Sequence, residues 1–587
     1  YAWHDPGVVR LMAEVNKGNA PELVLEGMLD VLEQIGEKGV TEEEVERARV
    51  QFLKQRELSA ANTSAIAVEL SEWQAQGDWR LYFLFRDRVE AVKPADVQRV
   101  AAKYFKRDNR TVGLYIPTEK AEKVEIPTTP NVLDLVKSYK GREEIALGEA
   151  FDVSPANIEK RTERTTLGQG VKAALLPKKT RGEVVQVRVT IRYGSPKSLG
   201  GLNTECEFLP ELMTRGTKKL TRQELQDELD RRQARLSANG SAGIAIFSVQ
   251  TKKANLIDVL DLLRQVLREP SLPANELDIL KHRQLASLEE SNTEPRSLAS
   301  RSLARQLSPY SKDDVRYVAT IPEEIEMVKG LARDGLEKLY SDYLGAQQIE
   351  VSVVGDFDVP ATKQKLTAML ADWKAPQPYA RIERSVPESW KPGVQTIETP
   401  EKANAVYYAG LALPIRDDDP DYPALVIGDF VLGAGALSSR LGDRIRQREG
   451  LSYGVASNFN ADSLDERGTL SVFAICNPSN MKKVEVAVKE ELDRLLKDGL
   501  GKEELERAIT GYLQRQEVSR TDDSALAQTL NSTLFVGRTM DYYAKQEQQI
   551  RKLTPEQVQK AMKSRIPVDK LIVIEAGDFA ALSAAGK

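Results

Sequence analysis

Residues 39–59, GVTEEEVERARVQFLKQRELS, and residues 499–519, GLGKEELERAITGYLQRQEVS, are two copies of one pattern in gapless register. Glu46, Arg47 and Ala48 fall on Glu506, Arg507 and Ala508, and Phe52 falls on Tyr512. The match runs on through Ser64-Ala65-Ile66-Ala67 over Ser524-Ala525-Leu526-Ala527, Gly77 over Gly537 and Tyr82 over Tyr542. One inserted residue then sets Asp96-Val97 against Gln557-Val558, and upstream Val24, Leu32 and Ile35 fall on Val484, Leu492 and Leu495. A weaker third copy begins near Glu276 (NELDILKHRQLASLEE), close to midway, so the period is about 230 residues. A chain that repeats itself in this way folds as a series of like units rather than around one core. Its 587 residues agree, since a chain of that length divides into about three or four domains.

Within each unit the apolar residues of the repeated stretch recur every three to four positions, as in Val45, Ala48, Phe52 and Leu505, Ala508, Tyr512, which predicts a run of amphipathic helices. Each run closes on a β-rich segment: TVGLYIP (111–117), IEVSVVGDF (349–357) and LIVIEAGDF (571–579). Ahead of the second and third runs the alternation of Val185, Val187, Val189 and Ile191 with Gln186, Arg188 and Thr190 predicts a strand over 183–193. The segments 234–251, 403–413 and 468–476 read the same way. The predicted class is α+β: repeated domains, each a mostly antiparallel sheet with helices packed on one face. The first unit has far less strand-rich sequence before its helices than the other two, so the chain is expected to begin inside a domain. Residues 118–165, rich in Lys, Glu, Pro and Thr, read as an interdomain linker with one short helix at 131–140, and the Pro- and charge-dense stretch 375–398 marks a second boundary. The expected layout is a partial domain at 1–117, the linker at 118–165, and domains at 166–380 and 381–587.

Composition narrows the chemistry. With 41% hydrophobic and 29% charged residues the chain is globular, and a net charge of −5 gives no reason to expect nucleic acid or an anionic membrane as partner. No run of 18 apolar residues is present to form a conventional membrane-spanning helix. The two cysteines, Cys206 and Cys476, are too few and too far apart for a disulfide framework or a cysteine zinc site. The two histidines, His4 and His282, leave a hydrolase built on this chain alone almost without imidazole; His282 reads as a surface residue on a charged helix. The first residue is Tyr, with no charged-then-apolar leader after it, which suggests a chain cut from something longer.

The stretch 432–455, LGAGALSSRLGDRIRQREGLSYGV, stands apart. Gly433 and Gly435 lead into a predicted amphipathic helix over 437–448 with Leu437, Leu441 and Ile445 on one stripe. Arg446 lies toward its end, and Tyr453 follows seven residues later at a predicted strand start. Taken alone, Arg446 reads as a cation favoured by the helix dipole and Tyr453 as a strand filler. Arg440, Arg444 and Arg448 read as solvated charges, and the glycines as turn formers.

Taken together, the unit pattern, GTKKLTRQELQDELD (216–230), VVGDFD (353–358) and RIRQREGLSYGV (444–455) resemble bacterial pitrilysin/insulinase-type zinc metallopeptidases over nearly the whole chain. The resemblance implies four similar α+β domains in two halves joined by a linker, with 1–117 as the end of the second, and 166–380 and 381–587 as the third and fourth. It implies that Arg446 and Tyr453 act as auxiliary catalytic residues, reaching from the fourth domain to donate hydrogen bonds to substrate backbone or a developing oxyanion. Arg446 and Tyr453, with Gly433 and Gly435, are the implied substrate-binding residues. The family's H-x-x-E-H motif is absent. Its place falls at 207–211, EFLPE, where Glu207 and Glu211 stand at the histidine positions and Pro210 at the general base; the third ligand aligns near Ala286, close to Glu289 and Glu290. Zinc needs neutral imidazoles plus a carboxylate, so no metal ligand is expected in this chain, and Glu207 and Glu211 are expected to be solvated helix charges. The implied protein is the substrate-binding half of a zinc metalloendopeptidase, its zinc ligands in a missing N-terminal half or a separate catalytic subunit. The other reading is a non-catalytic, peptide-binding or structural subunit of a processing-peptidase-like complex. Resemblance to bacterial members suggests a periplasmic address.

Overall fold

The computed structural model describes residues 8–15, 20–114, 147–388 and 390–581. The repeat is visible as five helices in the same order, three times. The first set is α1 (Pro21–Lys38), α2 (Glu42–Ala60), α3 (Thr63–Ala75), α4 (Leu81–Glu90) and α5 (Pro94–Tyr104). A short α6 (Pro155–Arg161), strands β1 (Glu163–Gly168), β2 (Val171–Pro177) and β3 (Val184–Arg192), helices α7 (Asn203–Met213) and α8 (Arg222–Arg231), and the hairpin β4 (Arg235–Ser241) and β5 (Ile244–Lys252) come next. The second set is α9 (Leu256–Arg268), α10 (Ala274–Ser291), α11 (Pro295–Leu307), α12 (Ile321–Gly330) and α13 (Arg333–Tyr343), closed by β6 (Ile349–Gly355) and α14 (Val359–Leu370). After β7 (Gly393–Glu398), β8 (Ala405–Leu413), α15 (Tyr422–Asp429), β9 (Ser452–Ala461) and β10 (Gly468–Cys476), the third set is α16 (Met481–Asp498), α17 (Lys502–Thr521), α18 (Asp523–Val536), α19 (Asp541–Arg551) and α20 (Pro555–Arg565), closed by β11 (Ile572–Gly577). Capping boxes at Thr41, Thr221, Thr320 and Thr554 fix four helix starts.

The two sheets share a topology. The order β2-β6-β3-β5-β4 in the first, extended by β1, matches β7-β11-β8-β10-β9 in the second. In each, one pair is parallel (β2 with β6, β7 with β11) and the other neighbours are antiparallel. The predicted strands 183–193, 234–251, 403–413 and 468–476 are β3, the β4–β5 hairpin, β8 and β10.

Each sheet packs its own unit's helices on one face, as expected, and its other face is covered as well. The inner face packs on the unit's own helices, with Val187, Val189, Leu209 and Leu263 in the first core and Leu411, Val472, Val484 and Leu492 in the second. The other face receives one helix from the neighbouring unit. From α18, Leu526, Ala527, Leu530 and Leu534 pack on Ala174, Leu176 and Val354 of the first sheet. From α11, Ala299, Leu303 and Leu307 pack on Val406, Ala412, Ile572 and Ile574 of the second. A Cβ at Gly410 would lie 3.0 Å from the Leu303 side chain, so a glycine there lets α11 settle. Hydrogen bonds set the register: Thr190 Oγ1 donates to Asn531 Oδ1 at 2.7 Å, Asn531 Nδ2 donates to the Glu350 carbonyl at 2.9 Å, and Ser352 Oγ donates to the Ala527 carbonyl at 2.7 Å.

The first helix set has no sheet among the described residues. No residue of α1 is buried, whereas Val484, Leu492 and Leu495 of α16, the partners of Val24, Leu32 and Ile35, are buried. The block hangs on the second unit through polar contacts of α2: Lys54 with Asp230, Glu57 with Lys252, and Arg47 with Asp227 at 3.2 Å. Of the expected linker, residues 115–146 and the short helix at 131–140 lie outside the described residues, as does His4. The stretch 147–165 is folded, with Ile158 of α6 buried beside Leu176 and β1 already begun at Glu163. Residues 111–114 form no strand, and the rest of that predicted strand lies outside the described residues.

Candidate functional site

Between α15 and β9 the chain does not make the single α-helix expected over 437–448. It passes through a wide π-type turn at Phe430–Ala434, a 3-10 turn at Ala436–Ser438, and a second wide-turned helix at Gly442–Arg448. Glycines make these turns passable. A Cβ on Gly433 would lie 2.3 Å from the Ser457 amide nitrogen, one on Gly435 2.7 Å from the Phe430 carbonyl, and one on Gly442 2.4 Å from the Ala436 carbonyl. Gly433 is buried against β9 and permits a close approach to Ser457, while Gly435 closes the turn onto Phe430. Ala436 takes a φ of 56°, and this bend turns Leu437 outward to 51% exposure while Leu441 and Ile445 stay buried.

The arginines of this element divide sharply. Arg440 holds Glu504 with both ends of its fork at 2.8 Å and donates to the Gly499 carbonyl. Arg444 bridges Glu449 at 2.8 Å, Glu490 at 2.5 Å and Glu491 at 3.3 Å, and Arg448 pairs with Asp443. Arg440 and Arg444 tie the element to α16 and α17 rather than standing free in solvent, while Arg448 stays exposed and pairs within the element. Arg446 is exposed and makes no hydrogen bond or ion pair to any described residue.

Tyr453 is turned out by a β-bulge. Ile475 of β10 pairs with Gly454 and Cys476 with Ser452, which leaves Tyr453 as the extra residue of β9. Ser452 Oγ, 2.7 Å from the Ile475 carbonyl and 2.8 Å from the Gly454 carbonyl, accepts the Gly454 N–H at 3.1 Å and pins the bulge. Buried Ser452 and Leu451 anchor the strand start, and Tyr453 is 71% exposed with its hydroxyl unbonded to any described residue. The element thus holds a permanently charged guanidinium and a phenol outward on a braced frame, both free to donate to an incoming carbonyl or carboxylate.

Beneath the frame lies Asp429, which periodicity did not single out. Its Oδ2 accepts the Phe459 N–H at 2.9 Å, its Oδ1 is buried and unbonded, and burial pushes its carboxyl up to about 6. Its one signal in the sequence is an acid inside the apolar run ALVIGDFVLG.

The EFLPE segment lies on α7, which continues to Met213 straight through Pro210. Pro210 cannot donate to the Cys206 carbonyl, and that carbonyl faces Gly240 of β4, where a Cβ would come within 2.4 Å. Glu211 is not a solvated charge: Arg215 and Arg283 each hold it at 2.6 Å. Glu207 reaches solvent but lines a recess. Glu289 and Glu290 are exposed, and His282 is exposed with Nδ1 2.8 Å from the Asp278 carbonyl. Among the described residues no three His, Cys, Asp or Glu side chains are placed to hold a metal ion. With Pro210 offering no donor atom and Glu211 engaged by two arginines, α7 does not fit zinc.

Residues 330–512, which include Arg446 and Tyr453, match the family model described as the peptidase M16 inactive domain, and residues 173–309 match that of insulinase, peptidase family M16. The chain belongs to the M16 family. Among its M16 relatives is the "non-peptidase homolog YmxG" of Helicobacter pylori, 23% identical over 368 residues that span 62% of this chain and 82% of the relative. The "uncharacterized zinc protease YmxG" of Bacillus subtilis is 22% identical over 57% of this chain and 79% of its own length. In fold, the M16 inactive domain from Pseudomonas fluorescens superposes with a TM-score of 0.63 at 21% identity, covering 71% of this chain and 98% of that one. The periplasmic protease PqqL of Escherichia coli superposes with a TM-score of 0.55 at 15% identity, over 94% of this chain and 62% of PqqL. No helix among the described residues is long and apolar enough to cross a membrane.

Proposed function

We propose that this M16 chain is the substrate-holding half of a zinc metalloendopeptidase that cleaves peptides in an enclosed chamber. The carrying observation is the pair Arg446 and Tyr453, held outward on a braced frame with no hydrogen bond from either side chain to any described residue. In this reading they grip substrate backbone and the developing oxyanion, where such donors supply several kcal/mol of transition-state stabilisation. Zinc and its general base belong to a half outside residues 166–587, on the same polypeptide or on a partner subunit, because α7 does not fit the metal. Residues 166–380 and 381–587 are then the third and fourth of four similar domains, and the α1–α5 block is the end of the second. A strand-rich partner for that block is consistent with exposed Leu23 and Val31 on α1 and exposed Val68 on α3. The proposed compartment is the periplasm, resting on the resemblance to bacterial members.

A second reading, a non-catalytic peptide-binding or structural subunit, is favoured by the Helicobacter pylori relative that is named a non-peptidase. Zinc content and peptide cleavage decide between them. The chain alone is expected to show neither, and the enzyme assembled with its metal-bearing half is expected to lose turnover on Arg446→Ala with Tyr453→Phe. Unchanged turnover in the double variant favours the structural subunit.

A further inference from the structure

The face of the first sheet that receives α18 is only partly filled by it. The helix lies on β2, β6 and β3. Beyond it the face continues over β5 and β4, where side chains grade from half-buried on β5 to exposed on β4. Register puts Arg188 of β3, Ser248 of β5 and Ser237 of β4 in one row on this face, with Gln186 and Gln250 in the next. Val187, Val189, Phe247 and Val249 point the other way, into the core.

No residue that β3, β5 and β4 turn to this face is acidic, whereas Arg188, Arg192, Lys252 and Arg235 are cationic. All but Arg188 are engaged. Arg192 pairs with Glu350 at 2.8 Å, Lys252 pairs with Glu57, and Arg235 donates to Gln55 Oε1. Arg188 stands in the middle of the face. Its Nη1 lies 3.4 Å from Ser248 Oγ, the side chain's one hydrogen bond to any described residue, and no described acid is within ion-pair distance. It is half-buried all the same, and a guanidinium taken partly out of water without a counter-charge is costly. The strand beneath it is fixed: β3 is paired on both sides, and the Arg188 carbonyl accepts from Asn531 Nδ2 at 3.3 Å. In the second sheet the matching position is Tyr408, stacked on Phe473 at 6.0 Å, so the repeated fold does not call for a cation there.

We propose that Arg188 binds a carboxylate of the held peptide, either an acidic side chain or the C-terminus, while Gln186, Gln250 and Ser248 meet the amides beside it. A guanidinium presents paired N–H donors in one plane, which fits the two oxygens of a carboxylate. Burial draws the Arg188 group below the ordinary guanidinium value with no neighbouring charge to offset it, and a bound carboxylate supplies that offset. A phosphate is the poorer guest, because it carries nearly two charges and Arg188 is the one cation on the face without a partner. The proposal rests on the reading of this chain as a peptide-holding half, and it adds a preference for carboxylates on the unit that lacks Arg446 and Tyr453.

Isothermal titration calorimetry on the whole chain tests it with three N-acetylated peptides: tetra-alanine amide, tetra-alanine with a free C-terminus, and the amide with one alanine replaced by glutamate. At least one carboxylate peptide is expected to bind about tenfold or more tightly than the blocked one, and Arg188→Gln to abolish that gain. Whichever carboxylate gains identifies a C-terminus or an acidic side chain as the source. Arg296→Gln, which removes an exposed arginine over Phe473 of the second sheet, is expected to leave the gain in place. Equal binding of the three peptides, a gain that survives Arg188→Gln, no binding of either carboxylate peptide at millimolar concentration, or tighter binding of inorganic phosphate would overturn the proposal. The peptide comparison uses the unaltered chain, so a misfolded variant does not blunt it. It needs no turnover, whereas the roles of Arg446 and Tyr453 are tested by turnover in the assembly, so the two readings fail separately.

Discussion

Four arginines lie between residues 440 and 448, and their surroundings assign them different work. Arg440 is bound at two points to Glu504, so Arg440→Ala leaves a partly buried carboxylate without its partner. We expect it to cost about 1–3 kcal/mol of stability in denaturant unfolding. Arg446→Ala and Tyr453→Phe remove exposed groups that make no hydrogen bond or ion pair to any described residue, so both are expected to unfold within about 0.5 kcal/mol of the parent. In the assembled peptidase each is expected to lower kcat by about 10²–10³-fold, the scale of losing one oxyanion donor. Asp429 makes stability depend on pH. Its folded carboxyl sits near 6, above an unfolded value of about 3.9, so its stabilising contribution is complete below about pH 4 and is lost as pH rises through 6. Asp429→Asn removes that loss, and the variant should gain about 2 kcal/mol on the parent between pH 4 and pH 8, read by urea unfolding at each pH. Parallel pH profiles for the two proteins would rule this out. Among these residues Arg446 and Tyr453 were singled out in the sequence as candidates by the surrounding motif, and the structure shows them exposed. The freedom of Arg446 was not legible, because R-x-R-x-R reads alike whether or not Glu490 and Glu491 of α16 reach Arg444 and Asp443 reaches Arg448.

At the scale of elements, alternation located β3 and β10 to within two residues at each end, and the nearly unbroken apolar run of β8, buried on both faces, located it equally well. The helix over 437–448 failed for a definite reason. Counting apolar residues at 3.6 per turn assumes an unbroken α-helix, and the wide turn before Gly435 with the left-handed Ala436 shifts the phase so that Leu437 leaves the stripe. The bulge at Tyr453 is equally invisible to pattern counting, since it depends on how β10 pairs with β9. The exchange of helices between units gives a paired test. Leu530 of α18 is buried against the first sheet, and its counterpart Leu70 of α3 packs only at the edge of a small cluster. Leu530→Ala is expected to cost about 2–5 kcal/mol and Leu70→Ala less than about 1 kcal/mol, measured as shifts in urea midpoint. Equal costs would mean that α3 is as well covered as α18.

Across the whole molecule the repeat was the legible part: it predicted like units, and the two sheets follow one topology. The reciprocal docking of α11 and α18 was not legible, because Leu303 and Leu530 occupy ordinary amphipathic positions that do not name the sheet they meet. That docking joins the second and third units into one body, with the Arg446–Tyr453 frame on one unit and the ligand-free α7 on the other. In the proposed function this body holds and orients a peptide, with the metal on another half. The most direct test is kcat for peptide hydrolysis by the peptidase assembled from this chain and its zinc-bearing half, with and without Arg446→Ala and Tyr453→Phe. Turnover is expected only in the assembly, with a loss of at least about 10²-fold in the double variant at unchanged zinc content. Stoichiometric zinc with turnover in this chain alone, or full turnover in the double variant, would contradict it.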